Sequence, residues 1–248
     1  MHVCFASEPA PGRPNEDFVV AGPDWAVVLD GATAPPGVDS GCVHNPAWLA
    51  HRLGGALATR LSAEDERPLD DLLAESIKTV CEMHADRCDL SNPDSPSATV
   101  AMLRLREDVL EWLVLADSPV LLDVDGEVRV IRDDRVDHLP GYTLEAVRTA
   151  RNAPDGFWVA STRPAAAYEA LSGRIEASSV RRAAMFSDGA SRLVERFETL
   201  DWTGLLDLTD REGPLAVIER TRAAESAEPD GARRGKRYDD ATAALFRL

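Results

Sequence analysis

The stretch SATVAMLRLREDVLEWLVLADSPVLLDVDGEVRVIR, Ser97 to Arg132, decides the fold class. It divides into four strand-like runs, Ser97–Leu105, Val109–Ala116, Val120–Val124 and Glu127–Arg132, separated by gaps of a few residues. Parallel neighbours would need a crossover connection of a dozen or more residues, so these runs must pair antiparallel. Asp125-Gly126 between the last two runs is the dipeptide that a type I′ hairpin turn requires. The stretch therefore predicts an antiparallel meander.

Upstream, Phe18-Val19-Val20 and Trp25–Leu29 read as short strands around a turn at Gly22-Pro23, the second running into Asp30-Gly31. Residues 46–61 and 69–88 carry apolar positions three and four apart, among them Leu69, Leu72, Leu73, Ile77 and Val80, which predicts two amphipathic helices. Downstream, helices are expected at 143–152, 164–172, 191–199 and 213–226, strands at 156–160 and 180–187, and a final strand at Ala241–Leu248. Strands and helices do not alternate one for one, which favours layered helix-on-sheet packing over a doubly wound parallel sheet. The expected class is α+β, an antiparallel β-sandwich flanked by pairs of helices, in a single domain spanning 1–248.

Composition narrows the function classes. Forty-three acidic against 27 basic side chains give a formal charge of −16, which repels a phosphate backbone and argues against nucleic acid as a partner. Mean hydropathy is −0.22 and no apolar run approaches a membrane span, so no membrane partner is expected. The start of the chain, Met1-His2-Val3-Cys4, has neither the basic region nor the apolar stretch of an export signal, which places the protein in the cytoplasm. Cys4, Cys42, Cys81 and Cys88 are too few and too dispersed for a disulfide scaffold and are expected as free thiols.

Asp-Gly occurs at 30, 125, 155, 188 and 230. Three of these read as turns: Asp125 in a hairpin, Asp155 and Asp230 beside Pro in polar loops. Asp30 and Asp188 instead end the apolar runs Ala26-Val-Val-Leu29 and Ala183-Ala-Met-Phe-Ser187 and aim a carboxylate at a sheet edge. A carboxylate there must be paired, hydrogen-bonded or bound to metal. Several converging from distant segments would repel one another unless a cation lay between them. Glu16-Asp17, Asp117 and Asp239-Asp240, each beside a predicted strand, extend the pattern.

In order along the chain, Asn15-Glu16-Asp17, Leu29-Asp30-Gly31, Ser97-Ala98-Thr99, Ala116-Asp117-Ser118, Ser187-Asp188-Gly189 and Asp239-Asp240-Ala241-Thr242 resemble the motifs of the type 2C (PPM) protein phosphatases. The resemblance implies the family's four-layer αββα sandwich and a site for two Mn²⁺ or Mg²⁺ ions, with a weaker third. It carries metal ligation onto Asp30 and the Gly31 carbonyl, Asp188, Asp239, Glu16 and Asp17, with Asp117 for the third ion. Oxygen-only ligands favour these hard cations over zinc. A hydroxide activated between two metals would attack phosphorus in line with the leaving oxygen, without a phosphoenzyme. The implied activity is a metal-dependent phosphomonoesterase acting as a monomer on phosphoserine or phosphothreonine in proteins. A small phosphorylated metabolite as substrate, and a catalytically silent PPM fold used as a binding module, are the alternatives.

The chain departs from the family in four places. Arg13, matched to a phosphate-binding arginine, lies three rather than four residues before Glu16. Asp30-Gly31 leads into Ala32-Thr33-Ala34-Pro35-Pro36 rather than a Gly-His-Gly-Gly run, so His44 becomes the candidate general acid. Pro119 stands where many members have an arginine, and residues 133–180 are short and Ala-rich for a substrate flap. Cys81, His84 and Cys88, read as one face of a straight helix, are assigned to packing, because three ligands so arranged seldom surround an ion tetrahedrally. The basic run Arg233-Arg234-Gly235-Lys236-Arg237 reads as a solvated loop able to attract an anionic substrate.

Overall fold

A computed structural model describes residues 2–32, 37–63, 65–229 and 236–248. The chain runs β1 (His2–Glu8), β2 (Phe18–Ala21), β3 (Trp25–Ala32), α1 (Pro46–Ser62), α2 (Leu69–His84), β4 (Ser97–Arg106), β5 (Val109–Leu115), β6 (Val120–Val124) and β7 (Glu127–Ile131). It continues through α3 (Leu144–Ala150), β8 (Leu171–Glu176), β9 (Val180–Phe186), α4 (Asp188–Glu195), α5 (Trp202–Glu212), α6 (Pro214–Ala227) and β10 (Ala241–Arg247).

Two five-stranded antiparallel sheets result, ordered β1-β10-β9-β6-β7 and β2-β3-β4-β5-β8. Period-two alternation sorts their side chains into layers. On β3, Val27 and Leu29 face α1 and α2, while Ala26 and Val28 face the other sheet. On β4, Val100 and Met102 take the helix side and Ala101 and Leu103 the inter-sheet side. On β10, Ala244 and Phe246 point between the sheets, and Ala243 and Leu245 point at α4, α5 and α6. Strands with apolar residues on both faces are covered on both sides, which gives the expected αββα order. No described helix is long and apolar enough to cross a membrane.

The predicted meander is corrected in one respect. β4 and β5 pair in one sheet and β6 and β7 in the other, so the chain changes sheet at Ala116–Pro119. Ala116 makes that change with φ of 67°, a left-handed conformation that is costly for a residue with a Cβ. Asp125 and Gly126 both have positive φ, as a type I′ turn demands.

Elsewhere residues 156–160 form only isolated bridges, residues 164–169 are a 3-10 turn, and α2 stops at His84 rather than at 88. β1, β8 and α5 have no counterpart in the sequence reading. The Asp230-Gly231 turn, the Thr33–Pro36 run and the Arg233–Gly235 part of the basic run lie outside the described residues.

Candidate metal centre

Five carboxylates from five segments meet at one end of the sandwich. Asp30 lies within β3, and one of its oxygens accepts the backbone N–H of Asp188, 3.3 Å away. Asp188 is the first residue of α4, where the helix dipole favours an anion. Asp17 stands just before β2 and is 3 % exposed. Asp117 follows β5, and Asp239 precedes β10. Asp117, Asp188 and Asp239 line an open cleft of about 590 Å³ together with Arg132, Arg192, Glu195 and Lys236.

Small residues and hydroxyls hold these groups in place. A Cβ on Gly31 would lie 2.6 Å from the Glu16 carbonyl, so only glycine allows the Glu16-Asp17 segment to rest on β3. The backbone N–H of Asp30 donates to Thr99 Oγ1, which is 2.5 Å from Ser118 Oγ, a bond that joins β3, β4 and the Asp117 turn. The Thr242 hydroxyl donates to Asp17 Oδ2 at 2.7 Å. The other carboxylate of the last pair, Asp240, accepts from the backbone N–H groups of Ala10 and Glu16 at 2.7 Å each and acts as a structural tie for the loop between β1 and β2.

The electrostatics follow from crowding that the cleft's cations only partly offset. Burial first, then the neighbouring charges of Asp17, Asp188, Asp117 and Asp239, hold the Asp30 carboxyl well above the usual range. Burial pushes Asp17 up to about 7 against the hydrogen bond from Thr242 and the nearby Ser187 hydroxyl, with Asp188 and Asp240 adding to the rise. Burial and Asp188 push Asp117 up to about 7 as well. Asp188 is raised by burial and by Asp239, with Arg192 and Lys236 opposing. Asp239 receives Arg192 at 2.9 Å and Lys236 at 3.1 Å.

Asp17 Oδ1 is fully buried with no hydrogen-bond partner among the described residues. A buried carboxylate oxygen left without a donor is costly, and a cation is the partner that relieves it. An all-oxygen donor set of this charge fits Mg²⁺ or Mn²⁺. The predicted ligands Asp17, Asp30, Asp117, Asp188 and Asp239 thus share one site, with Gly31 and the Glu16 backbone in contact beside it.

Arg13 and His44 are placed differently. Arg13 is exposed on the loop between β1 and β2, its backbone N–H donating to the Ala10 carbonyl at 3.2 Å. His44 does not line the carboxylate cleft; its ring stacks on Trp48, with centroids 3.9 Å apart, and its Nδ1 faces the thiols of Cys42 and Cys88. The cleft's cations Arg132 and Arg192 were absent from the sequence reading. Arg192 carried a signal, four residues after Asp188 on the same helix face. Lys236 belongs to the basic run and reaches the cleft.

A family model described as protein phosphatase 2C matches residues 7–227. No curated protein matches the sequence. Among solved structures, the serine/threonine phosphatase PstP/Ppp of Mycobacterium tuberculosis is similar at 19% identity, with a TM-score of 0.62, covering 100% of this chain and 98% of that one. Stp1, a serine/threonine phosphatase of Staphylococcus aureus, is similar at 14% identity, with a TM-score of 0.67, covering 99% of this chain and 94% of that one. The catalytic domain of PstP in complex with two manganese ions is similar at 20% identity, with a TM-score of 0.58 and coverage of 98% and 96%. At these identities the likeness is one of fold.

Proposed function

Because the chain belongs to the protein phosphatase 2C (PPM) family of metal-dependent phosphatases, we propose that it hydrolyses phosphoserine and phosphothreonine monoesters of proteins at the carboxylate cluster. The observation that carries the reading is the convergence of Asp17, Asp117, Asp188 and Asp239 on Asp30, with one buried oxygen of Asp17 unpartnered among the described residues. Asp30, the Gly31 carbonyl, Asp188, Asp239, Glu16 and Asp17 would hold two ions, and Asp117 a third. Bound Mn²⁺ or Mg²⁺ supplies charge neutralisation at the phosphoryl group and water made acidic enough to attack near neutral pH. PstP with two manganese ions is a structural neighbour that binds such a pair.

The remaining steps belong to this chain's residues. Arg132, Arg192 and Lys236 on the cleft wall offset part of the carboxylate field and draw a dianionic phosphate toward the cluster. The contact between Gly31 and Glu16, and the bond from Asp188 N–H to Asp30, fix the relative positions of three ligand-bearing segments before substrate arrives. Arg13, exposed on the loop between β1 and β2 and outside the cleft lining, keeps the contact to the outer phosphate oxygens only as the family resemblance assigns it.

The test is hydrolysis of p-nitrophenyl phosphate and of a phosphothreonine peptide with added Mn²⁺, with EDTA and Asp188→Ala as controls. Turnover that needs Mn²⁺ and disappears in the variant is expected, with the peptide preferred over small phosphorylated metabolites. A folded wild type that neither binds Mn²⁺ nor turns over either substrate would remove the catalytic reading and leave a binding module.

A further inference from the structure

Away from the carboxylates, four soft ligands converge that nothing in the phosphatase chemistry employs. Cys42-Val43-His44 precedes α1, and His84-Ala85-Asp86-Arg87-Cys88 spans the end of α2. Their ligand atoms all lie within 4.8 Å of one another. The reading of Cys81, His84 and Cys88 as lying on one straight helix is therefore corrected: the group draws two members from each of two segments and leaves Cys81 out. The helix ends at His84, but the backbone N–H groups of Arg87 and Cys88 both donate to the His84 carbonyl at 3.0 Å, so one further turn keeps Cys88 on the side of His84, where Cys42 and His44 arrive from the other segment. Cys81 takes no part; its Sγ faces the Ser161 carbonyl, 3.9 Å away, and it packs on the core.

We propose that Cys42, His44, His84 and Cys88 form a tetrahedral zinc site that clamps the segment before α1 to the end of α2. With Zn–S of about 2.3 Å and Zn–N of about 2.0 Å, a tetrahedral ion requires sulfur-to-nitrogen edges of about 3.5 Å. Cys42 Sγ lies 3.5 Å from His84 Nδ1 and 3.7 Å from His44 Nδ1, and Cys88 Sγ lies 3.5 Å from His44 Nδ1. Three of the tetrahedron's edges are thus already set. The Cys42 to Cys88 separation of 2.8 Å is an edge that must open, to about 3.8 Å, by small rotations of two flexible side chains, and the remaining two edges lie within 4.8 Å.

The surroundings are built for a fixed ligand set. Trp48 stacks on His44 and lies 5.1 Å, centroid to centroid, from the buried His84, so one indole orients both imidazoles. The backbone N–H of Asp89 donates to the Gly41 carbonyl at 2.8 Å, and the Asn92 amide donates to the Asp39 carbonyl at 3.1 Å. These bonds join the two ligand-bearing turns independently of any ion. Gly41, at φ of 66°, brings the first turn against Asn92, where a Cβ would come within 2.8 Å of the amide nitrogen.

Two thiolates and two imidazoles select zinc, whereas the carboxylate cluster selects hard cations, so the two sites sort their metals by chemistry. The donor set with all four positions filled by protein marks the site as structural rather than catalytic. Holding His44 there also removes it as the general acid of the phosphatase reaction.

The experiment is metal analysis of protein purified in a reducing, chelator-free buffer from zinc-supplemented medium. We expect one zinc per chain, retained at an EDTA concentration that removes Mn²⁺ and released by a mercurial thiol reagent. Cobalt-substituted protein should show a thiolate-to-metal charge-transfer band and the strong visible bands of tetrahedral Co²⁺. Cys88→Ser should lose the zinc and melt on the order of 10 °C lower, while Cys81→Ser keeps both metal and melting temperature. Should Cys88→Ser fail to fold, Cys88→His preserves four ligands and is expected to retain the metal with a weaker charge-transfer band. Wild type with no stoichiometric zinc and no tetrahedral cobalt spectrum would overturn the site, as would a Cys42–Cys88 disulfide in protein prepared without oxidant.

Discussion

Gly189 sits so close to the Asp240 carbonyl that a Cβ on it would lie 1.9 Å from the oxygen. The first turn of α4 therefore rests directly on the backbone that enters β10, and Asp188 and Asp239, the neighbours of these two residues, are held at one cleft wall by that contact. No side chain can rotate to relieve a clash between a Cβ and a backbone oxygen. Gly189→Ala should cost about 3 kcal/mol of stability, at the upper end for overpacking. It should also weaken Mn²⁺ binding and turnover at least tenfold. Urea unfolding and Mn²⁺ titration check the two effects; unchanged Mn²⁺ affinity in a folded variant would mean that this contact does not position the ligands.

Asp30 is surrounded by Asp17, Asp188, Asp117 and Asp239, whose charges all raise its pKa after burial has done so. In EDTA this crowding opposes folding, and in Mn²⁺ it becomes the source of affinity. Asp30→Asn is expected to raise the melting temperature in EDTA and to remove the additional stabilisation that Mn²⁺ gives the wild type, while turnover falls by several orders of magnitude. Paired thermal melts with and without Mn²⁺ read both. A variant less stable than wild type in EDTA would argue that Asp30 is held by hydrogen bonds rather than strained by charge.

Asp17 and Asp117, both pushed up to about 7, set a pH dependence for the metal-free protein. Unfolded, each releases its proton near about pH 4; folded, each keeps it until about pH 7. Over that window the native state binds more protons, so stability is greatest at the acidic side and is lost as pH rises through 7. Asp65, held down at about 2 by Arg67, titrates below the window and does not mask the trend. Melts in EDTA should fall from about pH 5 to about pH 8, and saturating Mn²⁺, which binds the deprotonated carboxylates, should flatten or reverse the slope. A flat EDTA profile would show that the two groups titrate normally.

What could be read in the sequence was whatever left a local mark. β3 and β4 are apolar on both faces, and the Asp-Gly dipeptides that end such runs differ visibly from hairpin turns, so the sandwich and its carboxylates were legible from Trp25–Gly31 and Ser97–Arg132. β8 was not, because Leu171–Glu176 is an edge strand with mostly exposed residues and a glycine in its middle. Gly173 is there because the Trp112 ring occupies the place of a Cβ, 2.3 Å from it, a tertiary reason that propensity does not record. The change of sheet at Ala116 hid for a similar cause, a left-handed φ on a residue that seldom adopts one. The grouping of Cys42 and His44 with His84 and Cys88 depends on how two turns meet, and no spacing along one helix could reveal it.

Arg192 ties the site to the helical layer behind it. Its guanidinium donates to Asp239 at 2.9 Å and to Glu225 at 2.6 Å, and Glu225, on α6, is 0 % exposed. Arg222 also reaches Glu225, at 2.8 Å, so removing Arg192 leaves that buried carboxylate one cation rather than none. Arg192→Met should therefore destabilise by about 3 kcal/mol, the lower end for breaking a buried pair. Adding Glu225→Gln removes the half-compensated buried charge and should restore part of that stability, the rest being offset by Arg222 losing its partner, a coupling that a double-mutant cycle measures. Activity should not return with it, because Asp239 still lacks the guanidinium and Asp188 the larger of the two cations, Arg192 and Lys236, that oppose its raised pKa. Recovery of turnover together with stability would show that Arg192 serves the packing of α4 on α6 alone; recovery of stability without turnover would assign its second role to the cleft.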